Sequence, residues 1–225
     1  MLSDERLEKL TAGRLSLHRH ERAYVAIIRR GRYTEAAIDG RFKLRPGMVV
    51  VHPRFHLHSN VVDEETSVWN VDLGAADAGG WRAVRSAATE RLAARVGAPR
   101  LPDIWEAMET AEDIALEPAP KWIKDLSMLD DACFSDVRRN VGREHAHRTF
   151  ARYFGMPPGR FRRERRLQRA IGLMTSRMDL ATIAVETGFA DQSHMTRLFK
   201  RELGVTPARF RKTVTPVQDE AVDGL

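Results

Sequence analysis

A single cysteine, Cys133, is all the thiol that this 225-residue chain contains. An internal disulfide framework is therefore excluded, and the composition suits a reducing compartment, with the cytoplasm as the expected location. No apolar run approaches the length of a membrane span, and the opening residues, MLSDERLEKL, are too charged to be the apolar segment of a signal peptide. The chain is expected to be neither secreted nor anchored to a membrane. Catalytic constellations are lacking as well. No Ser/His/Asp or Cys/His arrangement and no phosphate-cradling glycine loop stands out, so catalysis is not expected, and neither a metal nor a cofactor is assigned.

What is there divides in two. With 43% hydrophobic residues, 225 residues can bury one generous core or two small ones, and two fit better. The formal charge of +6 is unevenly spread: residues 1–120 carry −1, residues 121–213 carry +10 and residues 214–225 carry −3. A segment with that basic excess suits a polyanion, because each phosphate it neutralises releases condensed counterions. A general bias towards arginine would enrich both halves, and only one is unbalanced.

Proline-bearing stretches at 97–103 and 117–121 break the chain, and the second coincides with the change in charge and periodicity. The expected domains are therefore 1–116, 117–213 and a flexible acidic tail, 214–225. In the first, the runs RAYVAII, FKL, GMVVVHP and SVWNVDL alternate between Gly, Asp and Pro signals, which predicts the short strands of a small barrel or sandwich. Trp81, Val84, Ala88, Leu92 and Val96 then recur at helical spacing and predict one amphipathic helix, with a second at 103–114. After residue 120 every pattern is helical. Trp122, Leu126, Leu129, Cys133 and Val137 give a first face, and a long helix is expected from Pro157-Pro158 to about Ser176.

The basic half contains an internal repeat. Sliding VGREHAHRTFARYFGMPPGRFRR by 49 positions aligns His145 with His194, Arg148 with Arg197, Phe150 with Phe199, Gly155 with Gly204, Pro158 with Pro207 and Phe161 with Phe210. A repeat of this size is one supersecondary unit used twice. In the second copy Leu180, Ile183 and Ala184 form a short apolar face, Gly188 ends that helix, and Asp191 is placed to cap the next. At 100° per residue Met195, Leu198 and Phe199 face inward. Ser193, Arg197 and Lys200 face outward, with Gln192 and His194 at the N-terminal end. A short helix, a glycine turn and a helix with a polar outer face make a helix-turn-helix, whose second helix enters the major groove. In the first copy Ala146, Phe150 and Tyr153 face inward, and Arg143, Glu144, His147 and Arg148 are the corresponding candidates for DNA contact. Glu144 can accept from cytosine N4 or hold Arg148 as an i,i+4 partner. His145 and His194 can equally be packing or capping groups. Arg162, Arg163, Arg165, Arg166 and Arg169 are expected on a solvated helix face that attracts phosphate generally.

Residues 121–213 resemble the DNA-binding domain of the AraC/XylS family of bacterial transcription regulators. The residues that carry the resemblance are Ile183-Ala184, Gly188-Phe189, Asp191, Ser193, Arg197, Phe199-Lys200, Gly204, Thr206-Pro207 and Phe210-Arg211. The resemblance implies two helix-turn-helix units on a linking helix, reading two successive major-groove segments about 34 Å apart. Double-stranded promoter DNA is the expected partner, with RNA polymerase as a second, and the helices at 81–114 are expected to join a homodimer.

The first domain resembles a cupin. Gly13, His18, His20 and Gly31 fit its first motif, with Tyr24 where the metal-binding glutamate would stand, and Pro46-Gly47 and His58 fit its second. The resulting fold class is α+β: a cupin-like β-barrel with one or two helices, then an all-α domain of two helix-turn-helix units joined by a long helix. The expected function is a sequence-specific transcription regulator controlled by a small effector, with His18, His20, Tyr24 and His58 as effector-binding candidates. Three imidazoles could alternatively bind a divalent ion in a cupin enzyme fused to a DNA-binding domain, and a barrel that only dimerises is a third reading. His52 and His56 are expected on one strand as surface groups.

Overall fold

Turn signals and alternation position the first half. The computed structural model describes residues 6–74, 80–123 and 141–214. Its strands are β1 (Arg6–Leu10), β2 (Gly13–His18), β3 (Tyr24–Arg30), β4 (Tyr33–Ala37), β5 (Gly40–Leu44), β6 (Met48–His52), β7 (His58–Val62), β8 (Thr66–Asp72), β9 (Arg82–Arg85) and β10 (Glu112–Asp113). They pair antiparallel in two sheets, one ordered β1-β8-β3-β6-β9-β10 and the other β2-β7-β4-β5. The fold is α+β, as expected, with the antiparallel sheets in its N-terminal part. The RPGM signal works through Gly47, whose φ of +87° is the left-handed region open to glycine, and whose N–H donates to the Ile28 carbonyl at 3.0 Å.

β3 and β6 read as near-continuous apolar runs because their sheet is covered on both faces. On one face Ala26, Ile28, Val50 and Val68 meet Tyr33, Phe42, Leu44 and Val62 of the smaller sheet. On the other, Val25, Ile27, Val49, Val51 and Val84 pack under two helices, α1 (Ala87–Ala94) and α2 (Leu101–Glu109), through Leu92, Ile104 and Met108.

The helix predicted over 81–96 is shorter than its apolar spacing suggested. Residues 82–85 are instead strand β9, which completes the sheet beside β6. The helix begins after Ser86, whose hydroxyl accepts from Thr89 N–H while the Thr89 hydroxyl accepts from Ser86 N–H. Val96, expected on the inner face, lies beyond the helix end and is 99% exposed. The second predicted helix starts earlier, with Pro102 in its first turn, and stops at Glu109 because the chain turns back to pair β10 with β9.

By contacts the chain forms two compact units, Met1–Phe161 and Arg162–Leu225. The first contains the barrel and α3 (Arg143–Phe154), which lies against β4 and β5. There Leu57, Ile123, Phe150, Phe154, Met156 and Phe161 form a third apolar cluster. Arg41 Nη1 donates to the Arg152 carbonyl at 3.0 Å, and α3 ends at Gly155, whose φ is +68°. The predicted helical face from Leu126 to Val137 lies outside the described residues, as does most of the acidic tail. The long helix α4 spans Pro158–Leu173, beginning on a proline whose fixed φ suits a first helical position.

In the second unit follow α5 (Leu180–Glu186), α6 (Gln192–Leu203) and α7 (Pro207–Val214). Asp179 caps α5 by accepting from Thr182 N–H at 2.9 Å, and Asp191 caps α6 by accepting from His194 N–H at 2.6 Å. Gly188 makes the turn between them at φ +84°. Ile183, Ala184, Met195, Leu198 and Phe199 are buried, as their helical phase requires.

Candidate functional site

α6 presents a polar outer surface. Gln192, Ser193, Arg197 and Lys200 are exposed, and the side chains of Arg197 and Lys200 make no hydrogen bond or ion pair among the described residues. His194 is half-buried, its ring edge-on to Phe189 with centroids 5.3 Å apart, so its side chain packs the turn while its backbone N–H donates to the capping Asp191. On α3, Arg143, Glu144, His147 and Arg148 are exposed. Glu144 Oε2 and Arg148 Nη1 lie 3.4 Å apart, the i,i+4 pairing weighed for them, with both side chains largely in solvent. His145 sits near Trp122, centroids 5.7 Å apart.

Two arginines of α4 do other work than the solvated face expected of them. Arg166 Nη1 donates to the Gly188 carbonyl at 3.0 Å, and its guanidinium lies 5.7 Å from the Phe189 ring centre. Arg169 Nη2 donates to the Glu186 carbonyl at 2.9 Å. Both satisfy carbonyls freed at the end of α5, a role that helical phase alone does not reveal. Arg211 Nη2 donates to the Met178 carbonyl, just ahead of α5, at 2.8 Å.

Within the barrel a cavity of about 390 Å³ is lined by His18, His20, Tyr24 and His58, the four residues expected there. It is also lined by Glu35 of β4 and Asn60 of β7, which are cross-strand neighbours and were not singled out from the sequence. The signal that could have found Glu35 is a lone charge in the alternating strand YTEAA. Glu35 is 1% exposed; Oε1 accepts from Trp81 Nε1 at 3.0 Å, while Oε2 is buried without a hydrogen bond. Burial pushes its carboxyl up to about 7, opposed by His56 and the Trp81 hydrogen bond. Burial likewise raises the Tyr24 hydroxyl well above its ordinary range, helped by Glu35.

His52 and His56 are not surface groups. His52 ends β6 at 1% exposure, and His56 lies in the following loop at 4%. The chain turns there at Phe55, whose φ of 60° is unusual for a non-glycine residue. Two groups of three imidazoles result, His18/His20/His58 and His52/His56/His58, each offering nitrogens within 4.8 Å of one another. Both suit a borderline divalent ion better than a hard one. Beside the first stands Tyr24, whose hydroxyl is 3.5 Å from His58 Nε2. Burial, followed by the neighbouring imidazoles, holds His52 and His58 well below the ordinary histidine range, so both rings are neutral.

A helix-turn-helix domain family matches residues 138–213. The probable transcription factor PqrA of Proteus vulgaris is 31% identical over 99 residues, covering 42% of this chain and 81% of PqrA. The chain belongs to the AraC/XylS family of transcription regulators. An HTH-type transcriptional regulator of Haemophilus influenzae is 34% identical over 76 residues, 33% of this chain and 26% of that protein, so the match spans about a quarter of its length. Among solved structures, ToxT from Vibrio cholerae aligns over 95% of this chain and 99% of its own with 12% identity and a TM-score of 0.43. As an AraC/XylS member the chain is a DNA-binding transcription regulator. No described helix is long and apolar enough to cross a membrane.

Proposed function

We propose that a small ligand in the barrel cavity sets the DNA affinity of this regulator, with residues 117–213 as the DNA-binding domain and residues 1–116 as the sensor. One observation carries the reading: β4 and β7 serve the cavity and α3 at once. Tyr33, Glu35, His58 and Asn60 line the cavity. The alternate residues Ala36 and Ser59, which point the other way along each strand, meet Gly155 at the end of α3. A ligand that shifts either strand acts on the support of the first recognition helix, and any difference in its affinity for two strand positions becomes a difference in DNA affinity. The ligand chemistry favoured is a hydrogen-bond donor, because Asn60 Oδ1 and Glu35 Oε2 are buried acceptors without a hydrogen bond among the described residues, the latter with only His52 Nε2 near it at 3.6 Å.

Arg143, Glu144, His147 and Arg148 on α3, and Gln192, Ser193, His194, Arg197 and Lys200 on α6, are proposed as the DNA-facing residues. Promoter DNA is the proposed partner, with RNA polymerase beside it, in a cytoplasmic homodimer joined through the α1–α2 face, where Trp105 is 39% exposed. Relatives that regulate transcription, and the lack of a catalytic constellation in the sequence, support a non-enzymatic role.

Protection mapping of the DNA near the gene, using the full chain with and without pooled metabolites, tests the proposal. A pool that changes protection should lose its effect on a His20→Ala variant that still protects the DNA. An unchanged response in that variant would refute the assignment of the cavity.

A further inference from the structure

The four cavity residues expected from the sequence leave two buried histidines unexplained. His52 and His56 sit beneath the cavity with His58, each at most 4% exposed, and one nitrogen from each ring lies within 4.8 Å of the others. We propose that His52, His56 and His58 bind one divalent transition-metal ion of borderline softness, of the Zn(II) type.

The argument rests on which nitrogen of each ring is already committed. His56 Nε2 lies 2.6 Å from Asp39 Oδ2, so the ring proton faces the carboxylate and Nδ1 keeps a lone pair. His58 Nδ1 donates to the His56 carbonyl at 3.2 Å, leaving Nε2 as the basic nitrogen. His52 Nε2 faces Glu35 Oε2 at 3.6 Å, leaving Nδ1. His56 and His58 thus each have an oxygen acceptor hydrogen-bonded behind one nitrogen, the carboxylate nearest His52 stands 3.6 Å from its Nε2, and the Tyr24 hydroxyl lies 3.5 Å from His58 Nε2. For His52 and His56 the other nitrogen, Nδ1, is buried without a hydrogen-bond partner. Acceptors behind imidazoles fix the tautomer and raise ligand basicity at metal sites. Three histidines packed only as core would leave these lone pairs unsatisfied, which buried polar atoms rarely are.

The Asp39 carboxylate stands behind His56, and an all-imidazole donor set selects zinc, copper or nickel over magnesium or calcium. The alternative group, His18/His20/His58, shares one ring, but His20 is exposed. Of its two other rings only His18 has a hydrogen-bond acceptor behind it, the Ser16 carbonyl at 2.7 Å.

Untagged full-length protein, stripped with a chelator, would be titrated with Zn(II), with Co(II) as a spectroscopic probe. One equivalent of Co(II) should bind with the visible ligand-field absorption of an imidazole-bound ion, and Zn(II) should displace it. His52→Ala and His56→Ala should each abolish stoichiometric binding, while a His18→Ala/His20→Ala double variant keeps it. Asp39→Asn removes the carboxylate charge behind His56 from a solvent-exposed side chain and should weaken affinity by about 10–100-fold with the fold intact by far-UV circular dichroism. That variant decides the matter if the buried histidine variants do not fold. No stoichiometric binding, binding lost in the His18/His20 variant, or wild-type affinity in Asp39→Asn would each overturn the proposal.

Discussion

Arg166→Ala should weaken the protein rather than its grip on DNA, although the residue lies in the most basic stretch of the chain. Its guanidinium donates to the Gly188 carbonyl at 3.0 Å and stands 5.7 Å from the centre of the Phe189 ring. Those contacts hold the turn that orients α6. One hydrogen bond contributes about 0.5–1.5 kcal/mol net, and a partly exposed cation–π contact about 0.5–1 kcal/mol. The expected loss is therefore about 1–2.5 kcal/mol. Arg197→Ala is the contrast. Arg197 is exposed and its side chain has no partner among the described residues, so its removal should leave stability within about 0.5 kcal/mol of wild type. It should cost about 1–3 kcal/mol of base discrimination if the side chain pairs with a guanine. Chemical denaturation of the full chain followed by circular dichroism would measure the first quantity. Fluorescence anisotropy on labelled duplex at several salt concentrations, well below the unfolding midpoint, would measure the second. An Arg166→Ala variant with an unchanged denaturation midpoint, but a salt dependence shallower by about one unit, would mean that Arg166 contacts a phosphate. The assignment of its role to the turn would then be refuted.

Gly155→Ala should destabilise the first unit by about 1–2 kcal/mol, because φ is +68° and an added Cβ would meet Ser59 Oγ and the Ala36 carbonyl oxygen. Thermal unfolding reads this directly, and an unchanged midpoint would mean that α3 does not bear on β4 and β7 in solution. Arg148→Ala should leave stability almost untouched, since its exposed pairing with Glu144 is worth about 0.3–0.5 kcal/mol. If both units read DNA, it should relax base preference at a segment different from the one affected by Arg197→Ala. Unaltered footprint, affinity and base preference would make the first unit a structural support.

The second helix-turn-helix was legible nearly residue by residue because each of its determinants is local. Asp191 caps through a hydrogen bond three residues on, Gly188 supplies the positive φ, and Met195, Leu198 and Phe199 bury by phase alone. Local chemistry leaves its mark within a few positions of the chain. The helix read over 81–96 failed for the complementary reason. Trp81 and Val84 have helical spacing relative to Ala88 and Leu92, but residues 82–85 complete a sheet through β6, more than thirty positions away in sequence. Pairing partners so distant override a periodicity that two short elements happen to share.

The same distinction explains the barrel histidines. His18, His20 and His58 could be picked out because they fall at fixed spacings in two short motifs, whereas His52 and His56 carry no local signal that separates a buried imidazole from a surface one. What buries them is the closure of the two sheets over β6 and the loop turned by Phe55. The His56 proton is committed to a carboxylate from another turn, Asp39, and the carboxylate nearest His52, Glu35, comes from another strand. Neither acceptor would matter if the rings faced water, since solvent would satisfy both nitrogens. Once the rings are buried, the same acceptors decide which nitrogen remains basic. The chemistry of this cluster is thus a consequence of tertiary structure, and variants at Asp39 or Glu35, remote in sequence from the histidines, should reach it as surely as substitution of the rings themselves.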